Sequence, residues 1–424
     1  MSKADVIAER IPAIQEQGAA DILIAILTFN NEETIGTVLH ATRAALLQFP
    51  QRKVVIAHVD GGSSDSTTQR AKDSLAGESY FTQLSYPVYP VHRLEVSHHS
   101  VPGKDNAYRT IFSLAEQLSV DACCIVGGDA ALTPDWIASL VHPIVDAGCD
   151  LAAPFYQRQK YDGLLVTGIL YPLIRTLFGR RIRQPVGSDF GYSRSLIRRC
   201  LSLETWGDDA ARRDIDLWVN VHAIQYDMKL CQVYLGARRR STKDGAADVT
   251  SILANLAGAM YLEMEQTAEL WQRVRGASAI PTFGLRFDPE SGGQPANAKP
   301  MIDAFRIGYE NLQDIWGMVL PPATLLELKR MSRQPEQTFR FAAELWARIV
   351  YDFAIAHRLR FIGRDHLLRA LTPLYMGWIA SFILSIREAD DSQVENQIEQ
   401  LCIAYESQKP YLISRWRWPD RFMP

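Results

Sequence analysis

The chain has 424 residues, 47% of them hydrophobic and 22% charged, the length of two ordinary domains and the composition of a soluble globular protein. Its 45 basic and 48 acidic side chains leave a net charge of -3, which removes the basic footprint that nucleic-acid binding needs. The six cysteines (123, 124, 149, 200, 231 and 402) lack metal-ligand spacing, and several sit in apolar runs. They read as reduced core thiols of a cytoplasmic protein.

In chain order, Met1–Asp5 lacks the apolar run of a signal peptide, and residues 1–20 are expected to form a helical extension. The run Asp21–Leu27 predicts a buried parallel strand. It delivers Thr28-Phe29-Asn30-Asn31-Glu32-Glu33-Thr34-Ile35 to a strand end, followed by a helical pattern through Val38, Leu39 and Leu46. Val54–Val59 predicts a second strand, running into Asp60-Gly61-Gly62-Ser63-Ser64-Asp65-Ser66-Thr67 with a helix from about Thr67. A strand of this kind aims Asp60 into the crevice beyond the carboxyl ends of an open α/β sheet. No G-x-x-x-x-G-K-[ST] or G-x-G-x-x-G segment is present, so kinase-like and dinucleotide readings drop away. A carboxylate at a strand end suits the ring NH of a nucleobase better than a phosphate; the competing reading is an ordinary strand-turn-helix with a capping acid.

Pro102-Gly103-Lys104-Asp105-Asn106-Ala107 opens a third helix, and Lys104 is placed to meet a carboxylate or a diphosphate. Ala122–Val126 predicts a strand ending in Gly127-Gly128-Asp129, and Thr133-Pro134 marks a helix start. From about residue 247 the pattern turns to continuous helical periodicity, with Ile252, Leu253, Leu256, Ala257, Met260 and Leu262 on one apolar face and Phe339, Phe341, Leu345, Trp346, Ile349 and Val350 on another. Pro281–Lys299 reads as a loop or lid. Ala370–Ile386 is the one stretch approaching a membrane span, but it contains Pro373 and reads as a buried core or interface helix. Trp416 and Trp418 read as core residues or as an interface anchor.

The ordered set of Asn30–Ile35, Asp60–Thr67, Gly103–Ala107 and Gly127–Asp129 resembles the nucleotide-sugar glycosyltransferases of the GT-A fold. Gln184-Pro185-Val186-Gly187-Ser188-Asp189-Phe190-Gly191-Tyr192-Ser193, Asp216-Leu217-Trp218 and Gly236–Asp244 narrow the likeness to a bacterial branch that looks like the glucosylglycerate synthases. That branch is similar to the glucosyl-3-phosphoglycerate and mannosylglycerate synthases, and the match spans roughly residues 20 to 275. The resemblance implies an α/β fold, with a Rossmann-like, mostly parallel mixed sheet over residues 21–250 and a mainly helical C-terminal domain over 251–424 that covers the acceptor site or mediates oligomerisation.

It further implies a retaining enzyme that moves glucose or mannose from a UDP- or GDP-sugar to D-glycerate or 3-phosphoglycerate, making an α-linked compatible solute. Thr28, Asn30, Asn31 and Asp60 would hold the nucleoside, Lys104 would lie beside it, and Asp129 would hold Mg²⁺ or Mn²⁺ on the diphosphate. Two departures bear on that cation: Gly127 stands where many relatives have an acid, and Arg240 where a histidine ligand is frequent. Asp244 takes over as ligand, or the arginines of Arg238–Asp244 neutralise the diphosphate directly. Arg240 and Lys243 therefore join the expected donor site. Arg158, Thr167 and Arg183 are expected at the acceptor, and Asp189 and Asp216 at the reacting sugar. The expected assembly is a cytoplasmic homodimer without a membrane or nucleic-acid partner. Two alternatives stay open: transfer to a polyprenyl phosphate or membrane glycan, and a non-catalytic nucleotide-sugar-binding protein.

Overall fold

A computed structural model describes residues 18–88, 101–129, 132–203, 206, 214–237, 249–285 and 297–419. The expected helical extension of residues 1–20 therefore lies almost entirely outside the described residues, as do Arg240, Lys243 and Asp244. The chain divides into two compact units, neither of them one continuous stretch. The first comprises 1–157, 184–247 and 280–288; the second comprises 158–183, 248–279 and 289–424.

The first unit is built on one eight-stranded sheet: β1 (Ile22–Thr28), β2 (Val54–Asp60), β3 (Phe81–Ser85), β4 (Ala122–Gly127), β5 (Leu151–Gln157), β6 (Phe190–Ser193), β7 (Leu230–Ala237) and β8 (Thr282–Phe283). The order across it is β3-β2-β1-β4-β6-β5-β7-β8. Every pairing is parallel except those of β6, which runs antiparallel to both β4 and β5. β1, β2 and β4 are buried throughout, which is why they read as mainly apolar runs, with His58 the one polar residue inside them, rather than as alternating ones. Helices Ile35–Ala45, Thr67–Ser74, Lys104–Gln117 and Pro134–Val145 follow β1, β2, β3 and β4 respectively. The first and last of these bury Val38, Leu39, Trp136, Ile137, Leu140 and Val141 in the core around the sheet.

Parallel register places the chemistry. Thr28 pairs with Asp60 across β1 and β2, and Leu27 pairs with Gly127 across β1 and β4, so three strands end at one level. The antiparallel β6 pairs Phe190 with Ile125 and thereby carries Asp189 to the end of β4. This mixed, mostly parallel arrangement matches the expected fold class. The Pro281–Lys299 loop is partly structured: Thr282 and Phe283 form β8, a helix begins at Lys299, and 286–296 lie outside the described residues.

The second unit is helical. The segment 158–183, expected within the sheet-bearing stretch, packs here with the C-terminal helices. It contains a π-helical turn, Val166–Leu170, followed by helix Tyr171–Phe178. The Gly168 carbonyl accepts from Trp346 Nε1 at 2.9 Å and from Tyr405 OH at 2.8 Å. Helix Arg364–Ile386 has the length and apolarity of a membrane span, yet 78% of its most apolar window is buried within the protein. Trp416 is buried, whereas Trp418 is 63% exposed. On helix Val249–Gln266 the buried face runs through Leu253, Leu256, Ala257, Met260, Tyr261 and Met264, with Ile252 and Leu262 half-buried at its margin.

Candidate active site

The β1 and β2 ends interlock through their own polar side chains. Asp60 is 7% exposed. Its Oδ2 accepts from the backbone N–H groups of Gly62 and Ser63, both at 2.9 Å, and its Oδ1 accepts from Ser63 Oγ at 2.6 Å and Thr28 Oγ1 at 3.1 Å. Asn30, at a φ of 54°, accepts from Ser64 N at 2.8 Å and donates its own N–H to Ser63 Oγ at 2.8 Å. Asn31 accepts from Phe29 N at 2.8 Å, while its own N–H reaches Thr67 Oγ1 at 2.7 Å. Thr34 Oγ1 donates to the Gly128 carbonyl at 2.6 Å, which ties this pair of turns to the end of β4.

His58 lies beneath them. Thr28 spends its hydroxyl proton on Asp60, so at 2.8 Å it accepts from His58 Nε2–H. His58 Nδ1 is left without a partner. Burial pushes the imidazole down to about 4 against the opposing pull of Asp60, so the ring is neutral at pH 7 and serves to orient Thr28.

The predicted residues Thr28, Asn30, Asn31 and Asp60 are thus brought together, but their side chains first hold the turns in place. What they offer a ligand is a rigid crevice with fixed backbone and carboxylate positions, which is the preorganisation a binding site requires.

Lys104, the first residue of its helix and 5% exposed, donates from Nζ to Asp216 Oδ2 at 2.5 Å and to the Gly187 carbonyl at 2.6 Å. Asp216, fully buried, also accepts from Tyr108 OH at 2.5 Å and from Gly187 N at 3.0 Å. Asn220, one turn along, donates to the Pro185 carbonyl at 3.1 Å. These contacts fasten residues 185–187, and Lys104 and Asp216 meet each other rather than open space. A buried carboxylate with this many donors is held as a brace. The neighbouring Asp214, capping the same helix through Leu217 N at 3.0 Å, is raised to about 6 by burial and by the Asp216 charge.

Asp189 is 1% exposed. It accepts from Gly127 N at 3.2 Å through Oδ1 and, through Oδ2, from Tyr156 OH in a short contact. Asp129 follows at the β4 end, half-buried. A Cβ on Gly127 would stand 2.9 Å from Asp129 Oδ1 and 2.9 Å from Ser188 Oγ, and one on Gly128 would stand 2.5 Å from Thr28 Cγ2. Gly128 is therefore required by close approach, its Cβ also falling 2.9 Å from the Leu27 backbone carbonyl, whereas a Cβ on Gly127 would displace the Asp129 and Ser188 side chains. Ser188 packs against Gly127, the position where the likeness has an acid in many relatives.

The acceptor candidates all belong to the second unit. Arg183 pairs with Glu395 at 3.0 Å and lies 4.9 Å over the Tyr171 ring. Arg158 folds onto its own loop, where a Cβ on Gly163 would meet its Nη1 at 2.4 Å. Thr167, half-buried in the π-helical turn, donates its N–H to the Gly163 carbonyl at 3.0 Å. His58, Tyr108, Tyr156 and Ser188 join the site from the structure. The available signal was spacing for Tyr108, one helical turn after Lys104, and the neighbouring motif acid for Ser188.

Among the described residues no group of three or more His, Cys, Asp or Glu side chains is placed to hold a metal ion. A single hard carboxylate at Asp129 fits a cation shared with substrate phosphates and water rather than one enclosed by protein.

Residues 23–202 match the model of glycosyl transferase family 2. No curated protein matches the chain. Among solved structures, glucosyl-3-phosphoglycerate synthase from Mycobacterium tuberculosis in complex with phosphoglyceric acid is 18% identical, covers 63% of this chain and 85% of its own, and has a TM-score of 0.43. The same enzyme in complex with Mn²⁺, UDP-glucose and phosphoglyceric acid is 20% identical over 61% and 84%, with a TM-score of 0.41. A further mycobacterial protein is 18% identical over 63% and 79%, with a TM-score of 0.43.

Proposed function

We propose that this chain, which carries a glycosyl transferase family 2 domain over residues 23–202, is a retaining hexosyltransferase. It would transfer glucose or mannose from a nucleoside-diphosphate sugar to D-glycerate or 3-phosphoglycerate. The observation that carries the donor half is the convergence of Asp189 and Asp129 on Gly127 beside the interlocked β1 and β2 turns. The acceptor half rests on the sequence resemblance of the Gln184–Ser193 segment.

In this reading the nucleoside lies against the Thr28–Asn31 and Asp60–Ser63 turns. Asp189, held by Gly127 N and Tyr156 OH, binds hydroxyls of the hexose. Asp129 would hold Mg²⁺ or Mn²⁺, which when bound supplies Lewis-acid stabilisation of the departing diphosphate. The bond from the anomeric carbon to the diphosphate breaks, the acceptor hydroxyl oxygen bonds that carbon on the same face, and the hydroxyl proton passes to the leaving diphosphate oxygen. Asp216 acts through residues 185–187, not on the sugar.

Purified protein incubated with UDP-glucose, GDP-glucose or GDP-mannose and either acid, with Mg²⁺ and with chelator, tests the proposal by product mass and anomeric proton coupling. An α-linked glycosylglycerate is expected. Nucleotide binding without transfer to either acid would refute the acceptor assignment.

A further inference from the structure

Ser188 lies at the end of β4 between Gly127 and Asp189. It is 3% exposed, and its hydroxyl is buried without a hydrogen-bond partner. A hydroxyl removed from water and left unpaired costs free energy; an orphan of this kind at a binding site is explained when a ligand completes it. Its surroundings are the site itself: Ser188 Oγ and Asp129 Oδ1 converge on one point, each 2.9 Å from where a Gly127 Cβ would be, and the next residue is Asp189.

The chemistry of a hydroxyl differs from that of the acid it displaces. A carboxylate can approach a diphosphate only through a cation, whereas a serine hydroxyl donates a hydrogen bond to a phosphate oxygen directly. We propose that Ser188 Oγ donates a hydrogen bond to the diphosphate of the sugar donor, and so stands in for the acid absent at Gly127. The inference rests on the donor-site reading above and adds a ligand contact to it.

Ser188→Ala in the full-length protein provides the test, with affinities for UMP, UDP and UDP-glucose measured calorimetrically and the guanosine series run alongside. The variant should bind UDP and UDP-glucose about tenfold more weakly, the equivalent of about 1.4 kcal/mol. UMP affinity should be unchanged. The nucleotide-free variant should melt no lower than the parent, because its orphan hydroxyl is gone.

UDP affinity within twofold of the parent overturns the inference. Loss confined to UDP-glucose moves the contact to the hexose and overturns the diphosphate assignment. A lowered melting point with UMP and UDP weakened equally reveals a structural serine, and also overturns it. Failure of the parent protein to bind any of these nucleotides defeats the donor-site reading itself, a result distinguishable from the others because it precedes the substitution.

Discussion

Replacing Lys104 with Met tests whether the Lys104–Asp216 pair braces the segment that presents Ser188 and Asp189. The ammonium and carboxylate are 2.5 Å apart with side chains 5% and 0% exposed, so their gross attraction at an effective dielectric of about 20 is about 7 kcal/mol. Much of that is offset by the cost of taking both charges out of water. Removing only one partner leaves the other charge buried, and such losses are typically about 3–5 kcal/mol, set against the 5–15 kcal/mol or so that holds a domain together. Asp216 would keep Tyr108 OH and Gly187 N, which favours the lower half of the range, about 3 kcal/mol. Urea unfolding followed by tryptophan fluorescence is a suitable assay because Trp218 lies on the helix that carries Asp216. Lys104→Met paired with Asp216→Leu should recover a large part of the loss, since no uncompensated charge then remains. A single variant within about 1 kcal/mol of the parent, or a double variant that loses the sum of both singles, would refute the brace.

Three further outcomes follow from the same contacts. His58 is held neutral in the folded state, with its pKa lowered to about 4, whereas an unfolded histidine titrates near about 6.5. Its contribution is complete above the unfolded value and is lost as pH falls towards the folded one, up to roughly 3 kcal/mol. His58→Gln keeps an N–H for Thr28 and should flatten the fall in stability between pH 6.5 and 4.5; parallel pH profiles for parent and variant would dismiss this account. Asp129→Ala should slow transfer by roughly 100-fold or more, the scale of losing Lewis-acid help to the leaving group, and should abolish any tightening of UDP binding by Mn²⁺. Calorimetry showing the same Mn²⁺ effect in both proteins would move cation binding elsewhere. Tyr156→Phe removes one donor from Asp189 and should lower kcat about tenfold, near the worth of one hydrogen bond to a charged group, with the melting temperature little changed; unaltered steady-state kinetics would count against a role for Asp189 at the sugar.

Much of the first unit was legible from local chemistry. β1, β2 and β4 are buried on both faces, so apart from His58 their interiors are Val, Ile, Leu, Ala and Cys, and each ends where polar and glycine residues begin. A parallel sheet aligns such ends at one level, so the order of the motifs along the chain places Thr28, Asn30, Asn31, Asp60 and Asp129 at one edge. The helical character of the C-terminal residues was readable for the same reason: a buried stripe repeats with the helical period.

What tertiary structure decided is the partnership of residues that carry no local signal of each other. Lys104 and Asp216 lie 112 positions apart; Lys104 alone reads as meeting either a carboxylate or a diphosphate, and only the fold shows that its partner is Asp216. Asp60 reads as a nucleobase acceptor, yet four donors from Thr28, Gly62 and Ser63 already meet it. The antiparallel insertion of β6 is what carries Asp189 to the Gly127 amide and Ser188 against Gly127. The segment 158–183, with Arg158, Thr167 and Arg183, joins the helical unit because its apolar and ionic partners, among them Trp346, Tyr405 and Glu395, come from the far end of the chain. Hydrophobic period and turn chemistry act over a few residues and were readable in order; charge pairing and close packing act across space, and only the folded chain brings their partners together.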